Sequence, residues 1–350
     1  MSLKKIVKYR DIWMCAAIVW TIFFHGNFQV TKESLSIIKW IGYGGVDLFI
    51  FASGIGCYYS LEKDDDVFNF IKRRIVRIIP TYWIFMIGWG LYKRSFSQMA
   101  FRTFLGNFLC VRNFTGLGED FSWYISAMWL TYLLAPFFKG LLDRINSIYM
   151  VVIFTLFLGV LSVCFWDSYT FIITMSRLPL FFIGMYIGKL AWNDVYISKL
   201  SLLWLWIFME LGVRLFLYWS GVHAEMMWLR GYYWYPFILI TPGLCMLISC
   251  LMELIKKIFG KVGEYVEKVL AIPGKFSFEL FLLHVWFFDI LNNNWIPSGK
   301  VPNEEKTWIV SVLLLIPACL ILRGLTKSVI LVIGKCCEMK EKVAVRNTQC

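Results

Sequence analysis

An all-α, polytopic membrane protein is the fold class this sequence predicts, on three observations. Its 350 residues are 59% apolar and only 17% charged, against roughly 25% charged in an ordinary soluble domain. Mean hydropathy is +0.66 and 19% of residues are aromatic, so the solvent of the chain is largely hydrocarbon. About ten apolar runs follow one another, each near the ~20 residues a helix needs to cross a bilayer core. Helices satisfy their own backbone there, which irregular chain cannot do. The net charge of +12 would suggest nucleic acid in a soluble chain, but here basic residues mark one side of a membrane, and no nucleic-acid partner is expected.

The runs cover residues 12–28, 37–59, 78–92, 123–138, 148–165, 171–192, 200–218, 235–254, 276–291 and 308–333. The first follows a basic leader (Lys4, Lys5, Lys8, Arg10) and has no small-residue cleavage site after it, so it reads as a retained helix. Lys and Arg concentrate in the leader, in the connections after the even-numbered runs and at the C-terminal end. By the positive-inside rule both termini are then cytoplasmic. The main exception is 93–122, with Lys93, Arg94, Arg102 and Arg112, where an interfacial or re-entrant helix is expected. Residues 1–333 form one transmembrane domain on this reading and 334–350 a short cytoplasmic tail, since no connection is long enough for a soluble domain.

Ten cysteines are present without paired spacing, and Cys15, Cys57, Cys164 and Cys245 lie inside apolar runs, where they read as small hydrophobes. Cys336 and Cys337 are adjacent near the last run and are assigned no chemistry. No Walker loop, G-x-S-x-G elbow, H-E-x-x-H or paired-cysteine site occurs, so nucleotide hydrolysis and a metal cofactor are not expected.

Ionisable residues inside a membrane cost a few kcal/mol each and are the first functional candidates. His25 ends the first run at its outer side, where a neutral imidazole can take a proton from a hydroxyl or simply hydrogen-bond at the interface. Asp47 falls within the second run in a glycine-rich stretch and needs a cation or imidazole; His25 and a basic residue near the third run are the expected partners. Glu210 and Arg214, spaced i, i+4, read as a structural pair. Arg73, Arg74 and Arg77 share one face if their segment is helical, which suits the phosphates of coenzyme A or of lipid, or the anchoring of a cytoplasmic loop. His284 lies about eight residues into the ninth run, as a packing hydrogen bond or a proton carrier. His223 reads as surface. Aromatics on the outer side (Trp123, Tyr124, Trp219, Trp228, Trp234, Trp295) form an interfacial belt or stack on sugar.

Taken in order, Phe24-His25, Gly44-Gly45-Val46-Asp47-Leu48-Phe49 with Ser53-Gly54, and Phe70-x-x-Arg73-Arg74-x-x-Arg77-Ile78-x-Pro80-x-Tyr82 resemble landmarks of the bacterial acyltransferase 3 family. These are integral membrane sugar O-acyltransferases. Trp123-Tyr124-Ile125, Arg177-Leu178-Pro179 with Gly184 and Gly188, and Ser277-Phe278-Glu279-Leu280 leading to His284 continue the resemblance over most of the chain. It implies ten core helices in the bacterial cytoplasmic membrane, an acyl-CoA donor reached from the cytoplasm, and a glycan or glycolipid hydroxyl as acceptor. It also implies that His25 is the catalytic centre and that Arg74 and Arg77 match the paired donor arginines. One position departs: many members carry an arginine eleven residues before the histidine, and Met14 stands there. Arg10 is about 22 Å below His25 on an ideal helix and serves at most the cytoplasmic mouth. An esterase-like domain after the last run, as some relatives carry, is not expected.

The mechanism expected from these residues has Arg73, Arg74 and Arg77, with Arg10, holding coenzyme A, often acetyl-CoA in this family. His25 acts as general base or acyl relay, with Asp47 orienting its ring. Ser53, Trp123, Arg177, Glu279 and His284 are supporting or acceptor-binding candidates. The rival reading is a glycolipid or polysaccharide transporter in which His25 and Asp47 form a proton relay. The acyl group, the sugar and the oligomeric state are not specified by the sequence.

Overall fold

The computed structural model describes residues 2–26, 30–92, 101–115, 123–145, 147–165, 168–294 and 304–347, without the side chains of 101–104, 112–113, 169–170, 289–294, 304–308 and 334–347. Lys93, Arg94 and Trp295, and the side chains of Arg102, Arg112, Cys336 and Cys337, lie outside the described residues. The chain is all-helical, with no strand among the described residues. In chain order the helices are α1 (Lys4–Lys8), α2 (Arg10–His25), α3 (Glu33–Ile41), α4 (Gly45–Lys63), α5 (Val67–Tyr92), α6 (Phe101–Phe108), α7 (Arg112–Thr115), α8 (Trp123–Arg144) and α9 (Ile148–Val163). They continue with α10 (Tyr169–Met175), α11 (Leu178–Trp192), α12 (Lys199–Val222), α13 (Met226–Leu229), α14 (Pro236–Phe259), α15 (Lys261–Lys275), α16 (Ser277–Asn294) and α17 (Glu304–Asn347).

Among the described residues, seven helical stretches are long and apolar enough to cross a membrane: Glu33–Lys63, Val67–Tyr92, Trp123–Arg144, Phe171–Trp192, Lys199–Val222, Pro236–Phe259 and Ile309–Ile333. The first, fifth and ninth runs of the sequence fall on shorter or broken elements, the fifth on the 16 residues of α9. The 16 residues of α2 reach only about 24 Å, and α15 and α16 meet at a bend of 62°, one residue after Lys275, with Pro273 in the last turn of α15. Residues 255–275, expected as an inner connection, are almost wholly helical. Their charged residues lower the hydropathy while the apolar face packs: Tyr9 and Ile12 share a core with Met252 and Ala271. The 93–122 connection does carry two short helices, α6 and α7.

The chain divides into two compact units, one of residues 1–25, 29–70 and 100–277, the other of 26–28, 71–99 and 278–350. In the first, α4 and α11 are packed backbone to backbone. A Cβ on Gly54 would run into the carbonyl of Phe181, one on Gly184 would lie 2.5 Å from the carbonyl of Phe51, and one on Gly188 3.0 Å from the Cβ of Tyr58. Only small residues allow such an approach. Residues 54 and 58 thus face 184 and 188, so the two helices run in the same direction. The N-terminus is tied to the end of α11 by the Leu3 N–H on Val195 O (3.2 Å) and by Lys4 on Asp194 (3.2 Å). Lys4 and the Ser2 hydroxyl together hold the Asp194 carboxyl below the usual carboxylate range.

In the second unit α5 runs unbroken through Pro80, so the arginine segment forms the opening turns of a membrane helix rather than a separate connection. Phe85 and Trp89 of α5 meet the indole of Trp286 at ring distances of 5.9 and 6.4 Å. Gly88 makes room for that indole, since a Cβ there would stand 3.0 Å from it.

Candidate active site

The glycine register of α4 on α11 brings Asp47, in the first turn of α4, to Arg177, the residue before α11. Arg177 Nε lies 3.1 Å from Asp47 Oδ1, and Nη2 donates to Oδ2 at 3.4 Å. The shorter contact is an ion pair without hydrogen-bond alignment. Nη1 donates to the carbonyl of Ile173 at 2.7 Å. Both charged side chains are only 1% exposed. The partner of Asp47 is therefore neither His25 nor a basic residue near the third run, but an arginine far along the chain whose position depends on helix packing.

Three rings surround the guanidinium: Trp234 at 4.7 Å, Trp123 at 5.0 Å and Tyr43 at 5.6 Å from its carbon. Arginine is the cation suited to such a place, since it is weakly hydrated and stacks on aromatic faces. The rings desolvate the pair and the pair compensates its own buried charge. Arg177, expected as an acceptor contact, is thus enclosed.

His25 closes α2 beside this group. Its ring lies edge-on to Phe24 at 5.0 Å and to Tyr43 at 6.0 Å. Tyr43 therefore touches both the imidazole and Arg177. Gly45 sets the approach of α4 to α2, since a Cβ on it would meet the Ala17 carbonyl and the Thr21 hydroxyl oxygen. Around Tyr43 the aromatic cluster continues through Trp228 (5.3 Å) and Tyr233 (5.7 Å). Trp228 and Tyr233 stack at 4.6 Å, and the Tyr233 hydroxyl donates to the backbone carbonyl of Trp40. The turn that delivers Tyr233 and Trp234 passes through Gly231 at φ 76°, a left-handed conformation that glycine adopts without steric cost.

Sequence reasoning had named His25, Asp47, Trp123, Arg177, Trp228 and Trp234, and the fold gathers them. It had missed Tyr43, Trp40 and Tyr233. A lone tyrosine between glycines in Gly42-Tyr43-Gly44-Gly45 was the available signal for the first. Ser53 is half-buried on α4, about 9 Å along the helix from Asp47. Arg10 starts α2 at the end opposite His25, 3.6 Å from Asp11, and Met14 is half-buried one turn later.

The remaining candidates belong to the second unit. Arg74 is buried while Arg73 and Arg77 are exposed, so the three share an arc of the helix without sharing an environment. Glu279 is buried with its Oε1 3.4 Å from Arg323 Nε. His284, 1% exposed, donates from Nδ1 to the Leu280 carbonyl at 3.2 Å, because a carbonyl can only accept. Its ring packs against Phe281 and Phe288.

Compared with known families, residues 12–323 match the model of an acyltransferase domain. No curated protein and no solved structure matches the chain.

Proposed function

Because this chain belongs to the acyltransferase 3 family, whose domain spans residues 12–323, we propose that it is a membrane-bound O-acyltransferase. On this reading it moves an acyl group, acetyl in the simplest case, from cytoplasmic acyl-CoA to a hydroxyl of a cell-surface or lipid-linked glycan. The host membrane is the bacterial cytoplasmic membrane. Ten spans with both termini cytoplasmic follow if α2, α9 and the bent α15–α16 pair cross in addition to the seven long stretches. The shared direction of α4 and α11 supports this numbering, in which they are spans two and six.

The observation that carries the reading is the grouping of His25 with Tyr43 and the Asp47–Arg177 pair at the end of α2. The imidazole takes the proton of the acceptor hydroxyl as its oxygen attacks the thioester carbonyl. The new C–O bond forms, the C–S bond breaks, and the proton passes to the departing thiolate of coenzyme A. Asp47 acts through Arg177 and Tyr43 as a positioning residue, not by touching the imidazole. Arg74 and Arg77, with Arg73, hold the donor phosphates. The aromatic faces near His25 (Trp40, Trp123, Trp228) supply stacking surface for a sugar ring.

Transfer of label from radiolabelled acetyl-CoA to a glycan fraction, in membranes holding wild type, His25→Ala or Arg74→Ala with Arg77→Ala, tests the assignment. Label lost in both variants, with donor binding lost only in the arginine variant, supports it. Transfer that survives His25→Ala removes the histidine from the chemistry.

A further inference from the structure

Helix α12 presents charge where a membrane helix should present hydrocarbon. Only Gly212 and Phe216 of its 24 residues are buried, and Gly212 sits against α14, where a Cβ would stand 2.8 Å from the carbonyl of Pro236. Glu210 and Arg214 lie on the other side of the helix. At 100° per residue each is roughly 160° from Gly212. Arg214 Nη2 meets Glu210 Oε1 at 2.8 Å, and the side chains are 73% and 57% exposed. Glu210 is the twelfth residue of the helix and Arg214 the sixteenth, so the pair falls near mid-span. Ionised side chains at that depth almost always face a protein interior or a partner, because hydrocarbon solvates neither charge.

The residues that continue this face are spaced four, three, four, three and four apart: Leu203, Ile207, Glu210, Arg214, Leu217 and Gly221. That is the 3.5-residue repeat of a two-helix seam, the period that keeps one stripe facing a partner helix. Leu203, Ile207 and Leu217 are all exposed, and nothing lies within 4 Å of where a Gly221 Cβ would be. A polar position inside an otherwise apolar seam fixes register and partner number, as a buried asparagine does in a coiled coil.

We propose that this face joins two copies of the chain, α12 against α12. Charge selects the second copy as occupant. Copies inserted in one membrane run parallel, and a two-fold axis between them places residue i against j and j against i. Glu210 of each copy then meets Arg214 of the other across an axial offset of about 6 Å, within reach of an arginine side chain, and the four charges close into a ring. The seam is self-complementary and needs no other protein.

The test co-expresses two differently tagged full-length copies and captures one tag. R214E yields an all-acidic seam and E210R an all-basic one. Wild-type copies co-purify; each variant paired with itself falls at least about tenfold, since like charges face each other; the acidic and basic variants together recover the wild-type level. Cysteine cross-linking in membranes keeps the charges intact and covers the event that a charge variant misfolds. Leu203→Cys and Leu217→Cys give a dimer band above the wild-type background, and Phe208→Cys, exposed off the seam, does not. Wild-type copies that fail to co-purify and seam cysteines that link no better than Phe208→Cys would overturn the proposal. Variants that each self-associate as well as wild type, or seam cysteines that link only to a different polypeptide, would overturn it too.

Discussion

The Asp47 carboxylate and the Arg177 guanidinium meet at 3.1 Å across 130 residues of chain, in the same register that sets Gly54 against Gly184 and Tyr58 against Gly188. The ion pair is thus the first step of a ladder whose lower steps are glycines. Helix packing determines where the charges fall, and the charges close the outer end of the packing. Removing one partner leaves a buried charge without compensation, a loss of about 3–5 kcal/mol in comparable buried pairs. Asp47→Ala and Arg177→Ala should each lower the thermal melting temperature of the purified protein sharply. The double variant Asp47→Ala with Arg177→Ala should be less destabilised than the sum of the two single variants. Strict additivity in such a cycle would show that the two side chains are not coupled.

Two glycines on α4 separate close approach from mere flexibility. A Cβ at Gly54 runs into the Phe181 backbone, whereas nothing lies within 4 Å of one at Gly56. Gly54→Ala must push α11 away at an overpacking cost of about 1–3 kcal/mol, and it should lower acyl transfer as well, because Arg177 rides on the displaced helix. Gly56→Ala should match wild type in both assays or melt slightly higher, as alanine suits a helix interior better than glycine. Equal behaviour of the two variants would dissociate the site from the α4–α11 register.

Tyr43 is in ring contact with both His25 and Arg177. Both contacts are made by its ring, which phenylalanine would keep. Tyr43→Phe should therefore retain most of the stability and transfer rate, while Tyr43→Ala should lose both. On the proposed mechanism, His25→Gln removes the base and should lower kcat by roughly 10² to 10⁴-fold with acyl-CoA binding unchanged. If Tyr43→Phe were as inactive as His25→Gln, the phenol itself would belong to the proton path.

What the sequence made legible follows from what the bilayer enforces. Apolar runs of fixed length are imposed by the hydrocarbon thickness, so α4, α5, α8, α11, α12, α14 and α17 all lie where those runs lie. The need of Asp47 for a cation was equally legible, since an unpaired carboxylate is too costly there. Its partner was not, because the choice of Arg177 depends on glycine contacts between α4 and α11 that no local pattern records. Helix α15 was hidden for the opposite reason. Lys261, Glu264, Glu267 and Lys268 dilute its hydropathy, and its apolar face becomes apparent only when it lies on Tyr9 and Ile12. Tyr43 and Tyr233 carry little local signal of their own, because an aromatic at a membrane boundary usually belongs to the interfacial belt.

The arginines of α5 invite a test on the donor side that does not depend on the acceptor. Arg74 is buried and Arg73 and Arg77 are exposed, so they should contribute unequally to donor binding. An exposed guanidinium facing a phosphate is screened by salt and keeps part of its effect in Arg77→Lys, which retains the charge but loses the bidentate fork. A buried one is replaced less well, and Arg74→Lys should behave much like Arg74→Ala. Coenzyme A also offers a chemical counterpart to each substitution, since dephospho-coenzyme A lacks the 3′-phosphate. If an exposed arginine binds that phosphate, Arg77→Ala should raise KM for acetyl-CoA by about tenfold, as a lost charged hydrogen bond of ~1.5 kcal/mol would. The same variant should leave KM for acetyl-dephospho-CoA nearly unchanged. Equal losses with both donors would move Arg77 to the pyrophosphate or out of the donor site, and KM values for the two donors across Arg73→Ala, Arg74→Ala and Arg77→Ala would assign each arginine its phosphate.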